Sequence, residues 1–408
     1  MTILNRSSFT NQSGSEFLGL APFLRLSIAG IDLLPIALEV KAKLEAEPEN
    51  ADLWMNFAIA MLCLGQRQLG LSIQAQALDM QRAYYIAAAR QPAKLRLLLL
   101  MAEADLAGNT PIDCLLENSD IDLIYYYVSN ESLLLEPIPE HDVLMVGIGE
   151  SDENLKLLAA LAAVLADWPR PVINAPEKIP ATGRSRASQL LQSIPGLLIS
   201  PTQRVSRSDM EQLADGRSSL GEGFDFPIIL RPVGSHGGHD LDKIDSVQQL
   251  SAYLARVEAE MFYLAQFIDY CGQDGLYRKF RLALINGEAF ACHMAVSANW
   301  MIHYVNAGMY EDADKIAEEA DFMEHFPEFR QRHLAALQAI SKLTGLEYLC
   351  LDGAETADGR LLVFEIDHAM VVHAMDPIDL FPYKQTHMSK VQHAFRDMLF
   401  RSAGNPPS

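Results

Sequence analysis

Positive charge is scarce in this 408-residue chain: 32 lysines and arginines face 53 aspartates and glutamates, for a formal net charge of −21. A nucleic-acid binder normally presents a basic face, so that class is set aside, though a local basic pocket for a phosphate is not. Cysteines are few: Cys63, Cys114, Cys271, Cys292 and Cys350 lie far apart, and none forms a CxxC pair. That excludes a disulfide framework or a zinc ribbon and suits reduced thiols. There is no charge-free apolar run long enough for a membrane helix, because the apolar stretch near 17–40 is broken by Arg25 and Asp32. The polar, Ser-rich start (TILNRSSFTNQSGS) lacks the basic-then-apolar order of a signal peptide. The expectation is a soluble cytoplasmic protein of two or three domains, with no nucleic-acid or membrane partner.

What is present changes period along the chain. Residues 1–16 read as disordered. From about 31 to 108 apolar residues recur at three and four, and the reading is helical throughout. Trp54, Gly65, Ala77 and Leu78 are spaced like the Trp, turn Gly and Ala-Leu pair of a 34-residue tetratricopeptide unit, with two helices joined at Gly65. The match is partial, without a clean further copy, and an ordinary helical bundle is the alternative. Residues 17–130 are therefore taken as a repeat-like helical domain. From 143 the run VLMVGIG begins strand–helix alternation, with helices near 154–167 and 185–194 and strands at 171–174 and GLLIS, as in an α/β domain. After 224 the reading is mixed. FPIILRP, MFYLAQFI, LYRKFRLALI, EAFACHMAV, EYLCLDGAE and RLLVFEID read as strands, with helices near 246–256, 327–343 and 387–401; residues 298–325 read as irregular.

Two groups of residues carry chemistry. Asp352 lies in one strand, and Glu365 and Asp367 lie on the next beyond the tight ADGR turn. Side chains alternate along a strand, so Glu365 and Asp367 share a face that an antiparallel partner extends to Asp352. Three carboxylates on one face repel unless cations bridge them, and Mg²⁺ with nucleotide phosphates is the obvious candidate. The bland alternative, a solvated sheet face, sits poorly with Val363, Phe364 and Ile366. The second group is basic. Arg231 ends the IILRP strand, and Gly234-Ser235-His236-Gly237-Gly238 follow, a glycine-rich loop whose backbone can approach phosphate oxygens. A plain surface turn is the alternative reading of that loop. Arg278, Lys279 and Arg281 share one strand, with Lys279 and Arg281 on one face.

In this order the parts resemble the ATP-grasp superfamily, in particular its RimK-like peptide or amino-acid ligases. The resemblance covers roughly 140–400 and rests on ordered short motifs. It implies an α/β (α+β) ATP-grasp fold, with a pre-ATP-grasp α/β domain at 140–222 and the ATP-grasp domain at 223–402. ILRPVGSHGG resembles the family's Lys-Pro strand and flap, and LAQFID resembles its adenine-side hinge, with Gln266, Ile268 and Asp269 as nucleotide contacts. YRKFRLALINGEAF resembles the strand bearing the family's Arg, at Arg281. Asp352, Glu365 and Asp367 fall on the magnesium ligands, and NAG, 306–308, resembles a loop of the active-site wall. Departures stand out: Arg184 and Arg231 replace two ATP-binding lysines, Asp367 replaces an Asn, and Lys279 replaces an acid.

The resemblance implies a carboxylate–amine ligase using ATP and Mg²⁺ through an acyl phosphate, with Arg231, Arg281 and Arg184 as fixed positive charge. The substrate expected is a peptide or amino acid recruited by the helical domain. His368 is read as lining the acceptor site, as deprotonating the attacking amine, or as structural; His293, His303 and His373 are weighed beside it. A second metal on His368, His373 and Asp376 does not match a recognised ligand spacing. A non-catalytic nucleotide-binding scaffold and a small-molecule kinase remain alternative functions. The sequence leaves the oligomeric state open, a homodimer included.

Overall fold

The computed structural model describes residues 15–134, 137–235 and 237–404. The start expected to be disordered lies outside them up to residue 14. Ser15 and Glu16 are anchored: the Ser15 hydroxyl and the Glu16 backbone N–H each donate to Asp52 Oδ2 at 2.8 Å. The chain divides into two compact units, Met1–Ile179 with Leu346–Tyr348 and His368–Ser408, and Pro180–Gly345 with Leu349–Asp367.

The first unit opens with four helices, α1 (Ala21–Ile28), α2 (Leu34–Ala46), α3 (Ala51–Cys63) and α4 (Arg67–Met80). The joint between α3 and α4 falls at Gly65 as expected, in the left-handed region (φ +74°) that glycine adopts without a Cβ penalty. These helices pack closely at Gly70, where a Cβ would meet the Leu62 side chain at 2.7 Å.

The helical reading to 108, and with it the helical domain to 130, is corrected from Met80 onward. Strands β1 (Ala83–Ile86), β2 (Leu95–Ala102) and β3 (Ile121–Val128), with the short α5 (Asp113–Leu116), join β4 (Val143–Val146) and β5 (Val172–Ile173) in one sheet of order β1-β3-β2-β4-β5. The misreading has a physical cause. LRLLLLMA is a continuous apolar run, and periodicity does not separate a buried helix from a doubly covered strand. β2 has parallel neighbours on both sides, with Leu95 opposite Ile121 and Leu97 opposite Val143, and every residue of it but Arg96 is buried. Parallel strands with both faces covered read this way. Helices α6 (Leu155–Leu165) and the C-terminal α13 (Pro382–Ser402) complete the unit.

Arg396 of α13 donates from Nε and Nη2 to the two carboxylate oxygens of Asp120, both at 2.8 Å. These bonds outweigh burial and hold the Asp120 carboxyl at about 2. A folded value below the unfolded one stabilises above pH ~4, and the contribution is lost as pH falls from there towards 2. Asp120→Asn is expected to be less stable at neutral pH by roughly 2 kcal/mol. The gap should close in acid-titrated melting curves between pH ~4 and ~2.

The second unit has two sheets. After α7 (Arg184–Leu191) and β6 (Leu197–Ile199) come β7 (Thr202–Ser206), α8 (Arg207–Ala214), β8 (Ile228–Pro232), β9 (Asp242–Ile244), α9 (Val247–Arg256) and β10 (Met261–Gln266). Strands β7, β10, β8 and β9 form an antiparallel sheet around a core that includes Ile228, Leu230, Leu250, Phe262 and Leu264. Ser206 and Asp209 cap α8 reciprocally, and Ser246 caps α9.

The second sheet is built from β11 (Tyr277–Ile285), β12 (Glu288–Ser297), β13 (Tyr348–Glu355) and β14 (Leu361–Asp367) in the order β12-β11-β13-β14-β6. The β11–β12 hairpin turns at Asn286-Gly287, both at positive φ, as a two-residue turn requires. Between β12 and β13 run α10 (Ala313–Glu324), α11 (Phe326–Arg332) and α12 (Leu334–Thr344). α10 occupies a stretch expected to be irregular. Its Asp312 cap, accepting from Asp314 and Lys315 N–H, starts a run rich in Ala and Glu. Phe280 of β11 packs against Phe322 and Phe329 of these helices, with ring centroids 5.6 and 4.9 Å apart. That commits one face of the sheet to the core and leaves Lys279 and Arg281 on the other.

Candidate active site

The acids stand where alternation places them. Asp352 on β13 is directly opposite Glu365 on β14, and Cys350 is opposite Asp367, so all three carboxylates share a sheet face. Register shifts sit beside the charged positions, between Asp352 and Gly353 and between Arg281 and Leu282. Bulges commonly re-aim side chains next to active sites. Gly353 is required at its bulge, since a Cβ there would lie 2.5 Å from the Leu362 carbonyl oxygen.

Protein cations meet these acids. Asp352 is 1 % exposed. Arg281 donates to it from Nε at 2.7 Å and from Nη2 at 3.0 Å, and Lys279 Nζ lies 2.8 Å from Oδ2. Burial alone would raise the Asp352 carboxyl, but Arg281 and then Lys279 hold it far below the usual range. Arg184, the first residue of α7, pairs with Glu365 Oε2. Burial raises Glu365, but Arg184 leads the cations that bring it below its ordinary value. Arg278 points the other way, to Asp274 and Glu318, as strand alternation demands.

Arg231, at the end of β8, is 7 % exposed. Its Nε donates to Ser235 Oγ at 3.2 Å and its Nη2 to the Ser235 carbonyl. Burial, then the neighbouring Arg184, pulls its guanidinium down to about 10, which leaves it charged at neutral pH. Glu365 is among the groups that raise it, so Arg231, Arg184 and Glu365 belong to one electrostatic cluster. Gly234, Gly237 and Gly238 of the loop all take positive φ. His236 lies outside the described residues. At Gly238 the backbone packs on the His303 ring, where a Cβ would stand 2.5 Å from Nε2. His303 has Lys279, Glu365, Asp352 and Arg231 as electrostatic neighbours, and burial followed by Lys279 lowers its imidazole below the usual value.

Other expected contacts are engaged by the protein itself. The Gln266 amide accepts from Asp225 N–H at 2.8 Å and donates to the carbonyls of Pro227 (3.2 Å) and Phe267 (3.3 Å). Asp269 accepts from Cys271 N–H, and Ile268 packs with Tyr270, Ala354 and Leu362. Gln266 thus ties β10 to the segment entering β8, a structural task beside the nucleotide contact expected of it. His368 belongs to the first unit, is fully buried, and places Nε2 3.0 Å from the Ile148 carbonyl oxygen. A carbonyl only accepts, so Nε2 carries the proton. Of the roles left open for His368, this burial and the Ile148 contact support the structural one. His373 and Asp376 also lie in the first unit.

The acids do not form a three-ligand cage. Among the described residues, no group of three or more His, Cys, Asp and Glu side chains is arranged to hold a metal ion. Two functional candidates were underread in the sequence. Lys279 was visible through its two-residue spacing from Arg281. His303, on a loop, carried no local signal. Among the described residues, no helix is long and apolar enough to cross a membrane.

No family profile matches the chain, and no curated protein matches it. Among solved structures it is similar to the D-alanine–D-alanine ligase of Bacillus anthracis complexed with ATP, at 11 % identity and a TM-score of 0.48, covering 76 % of this chain and 99 % of that one. It is similar to a RimK-domain ATP-grasp protein of Sphaerobacter thermophilus at 17 % identity and a TM-score of 0.40, covering 75 % and 99 %. A third is the ATP-grasp ligase PsnB complexed with a precursor peptide and a nucleotide analogue, at 13 % identity and a TM-score of 0.40, covering 74 % and 97 %.

Proposed function

We propose that the chain is an ATP-dependent ligase joining a carboxylate to an amine. The observation that carries this reading is the charge array of the second unit. Arg184, Arg231, Lys279 and Arg281 stand with Asp352, Glu365 and Asp367 beside a glycine-rich loop. Four cations against three carboxylates leave an excess of positive charge, which suits a polyphosphate. A single magnesium ion fits Glu365 and Asp367, because this ion is usually held by one or two carboxylates together with phosphate oxygens. Bound there, it would neutralise phosphate charge.

The chemistry consistent with this array is in two steps. A substrate carboxylate oxygen attacks the γ-phosphorus, the bond to ADP breaks, and an acyl phosphate forms. An amine then attacks the acyl carbon, the bond to phosphate breaks, and the proton the amine loses is carried off by the departing phosphate. Arg231 and Arg184 hold phosphate oxygens, and Arg281, fixed by Asp352, keeps positive charge where the transferred group passes. The acceptor is taken as a peptide or amino acid on the motif resemblance. Recruitment by the helices is part of the proposal: Leu34 and Leu38 of α2 are 50 % and 55 % exposed one turn apart.

Incubation with Mg·ATP and a panel of amino acids and peptides, read by mass, tests this. The expected product is lighter than its components by one water and appears with ADP. A product heavier by a phosphoryl group would make the protein a kinase. Mg·ATP at a hundredfold excess over its Kd should stabilise the protein by about 2.7 kcal/mol. Absence of any thermal shift would remove the nucleotide site. In the same assay Leu38→Glu should slow peptides and spare free amino acids; equal rates would free the helices from recruitment.

A further inference from the structure

We infer that Lys279 takes the place of a metal ion on Asp352, so that nucleotide binds here with one divalent cation, held by Glu365 and Asp367. The inference rests on the nucleotide site proposed above and specifies its metal count.

Three carboxylates on one sheet face need positive charge between them. At Asp352 the protein supplies it. Oδ1 accepts from Arg281 Nε at 2.7 Å; Oδ2 accepts from Arg281 Nη2 at 3.0 Å and from Lys279 Nζ at 2.8 Å. The Asp352 side chain is 1 % exposed, and those of Lys279 and Arg281 are 16 % and 19 % exposed, so water screens little of this. Magnesium needs a carboxylate oxygen at about 2.0–2.1 Å in near-octahedral surroundings. On Oδ2 it would displace the ammonium or share one oxygen with it, two positive charges at bonding distance of the same atom. On Oδ1 it would meet the Arg281 guanidinium.

Glu365 differs. Its side chain is 27 % exposed, and Arg184, at the start of a helix, pairs with its Oε2. Asp367 lies two residues further on the same face and is half-buried. Two carboxylates with phosphate oxygens are enough for one magnesium ion. The ammonium of Lys279 is a compact point charge on a flexible stem, the side chain best able to stand in for a cation at a carboxylate.

Counting bound Mn²⁺ per protein by electron paramagnetic resonance, with the full chain saturated with the non-hydrolysable analogue adenylyl imidodiphosphate, decides the matter. One Mn²⁺ per bound nucleotide is expected in the wild type, and two in Lys279→Glu, which removes the ammonium and adds a ligand. Two ions in the wild type, or one in a folded Lys279→Glu variant that binds nucleotide, would overturn the inference and leave the nucleotide site standing. If the glutamate variant does not fold, the wild-type count still decides. Failure of the wild type to bind the analogue at all would overturn the underlying reading, and the inference with it.

Discussion

Asp352→Ala is expected to destabilise the protein by about 3–5 kcal/mol, the range found when one partner of a buried ion pair is removed. The substitution deletes little volume. The cost comes from Arg281 and Lys279, left on a dry sheet face with their counter-charge gone. Burial by itself pulls the Arg281 guanidinium down; the attraction of Asp352 outweighs it and raises the group above its ordinary value. Without Asp352 only the unfavourable part remains. Asp352→Asn keeps the shape and one acceptor oxygen, and should recover only part of the loss, because the cations still lack a charge. Equilibrium denaturation of the three proteins reads this directly. A change below about 1 kcal/mol in the alanine variant, the level of exposed pairs, would show that water reaches the cluster.

Glu365→Gln is expected to leave stability within about 1 kcal/mol of wild type and to slow turnover by about 10²–10³-fold. The first expectation follows from what the substitution keeps: the Arg184–Glu365 pair is part-buried, 27 % exposed on both sides, and Gln retains an acceptor oxygen for Arg184. The second follows from the charge Glu365 contributes. Gln keeps the size and an acceptor, but it offers magnesium a weaker ligand, and loss of one preorganised electrostatic group commonly costs this much. Steady-state ADP release with the ligated substrates measures it, beside nucleotide titration. A glutamine variant at full speed would place the metal and the phosphates elsewhere.

The two variants also mark what could be read in the residues. The period-two placement of Asp352, Glu365, Asp367, Lys279 and Arg281 on strands was legible, because alternation is strict and the ADGR turn fixes the pairing of β13 with β14. What those acids pair with was less so. The carboxylates called for cations, and the sequence reading supplied them from solution, whereas Arg281, Lys279 and Arg184 supply most of them from the chain. That required knowing that β11 lies beside β13, a long-range pairing that local pattern does not carry. The reading of β2 failed for a different reason: four consecutive leucines have no period at all. His303 was weighed only as one histidine among several, because its place beside the glycine-rich loop depends on the approach of Gly238, far from it in sequence.

The strand that bears the acids is held unevenly. Short β6 pairs in parallel with Leu361, Leu362 and Val363, whereas Glu365, Ile366 and Asp367 have their described ladder partners on β13 alone. β14 is therefore clamped from both sides at its root and from one side at its tip. The carboxylates proposed to hold an ion thus stand where one side of the strand is open to other groups, and it is there that Arg184 reaches Glu365. The Asp352 ion cluster sits instead on β13, which has a strand on either side.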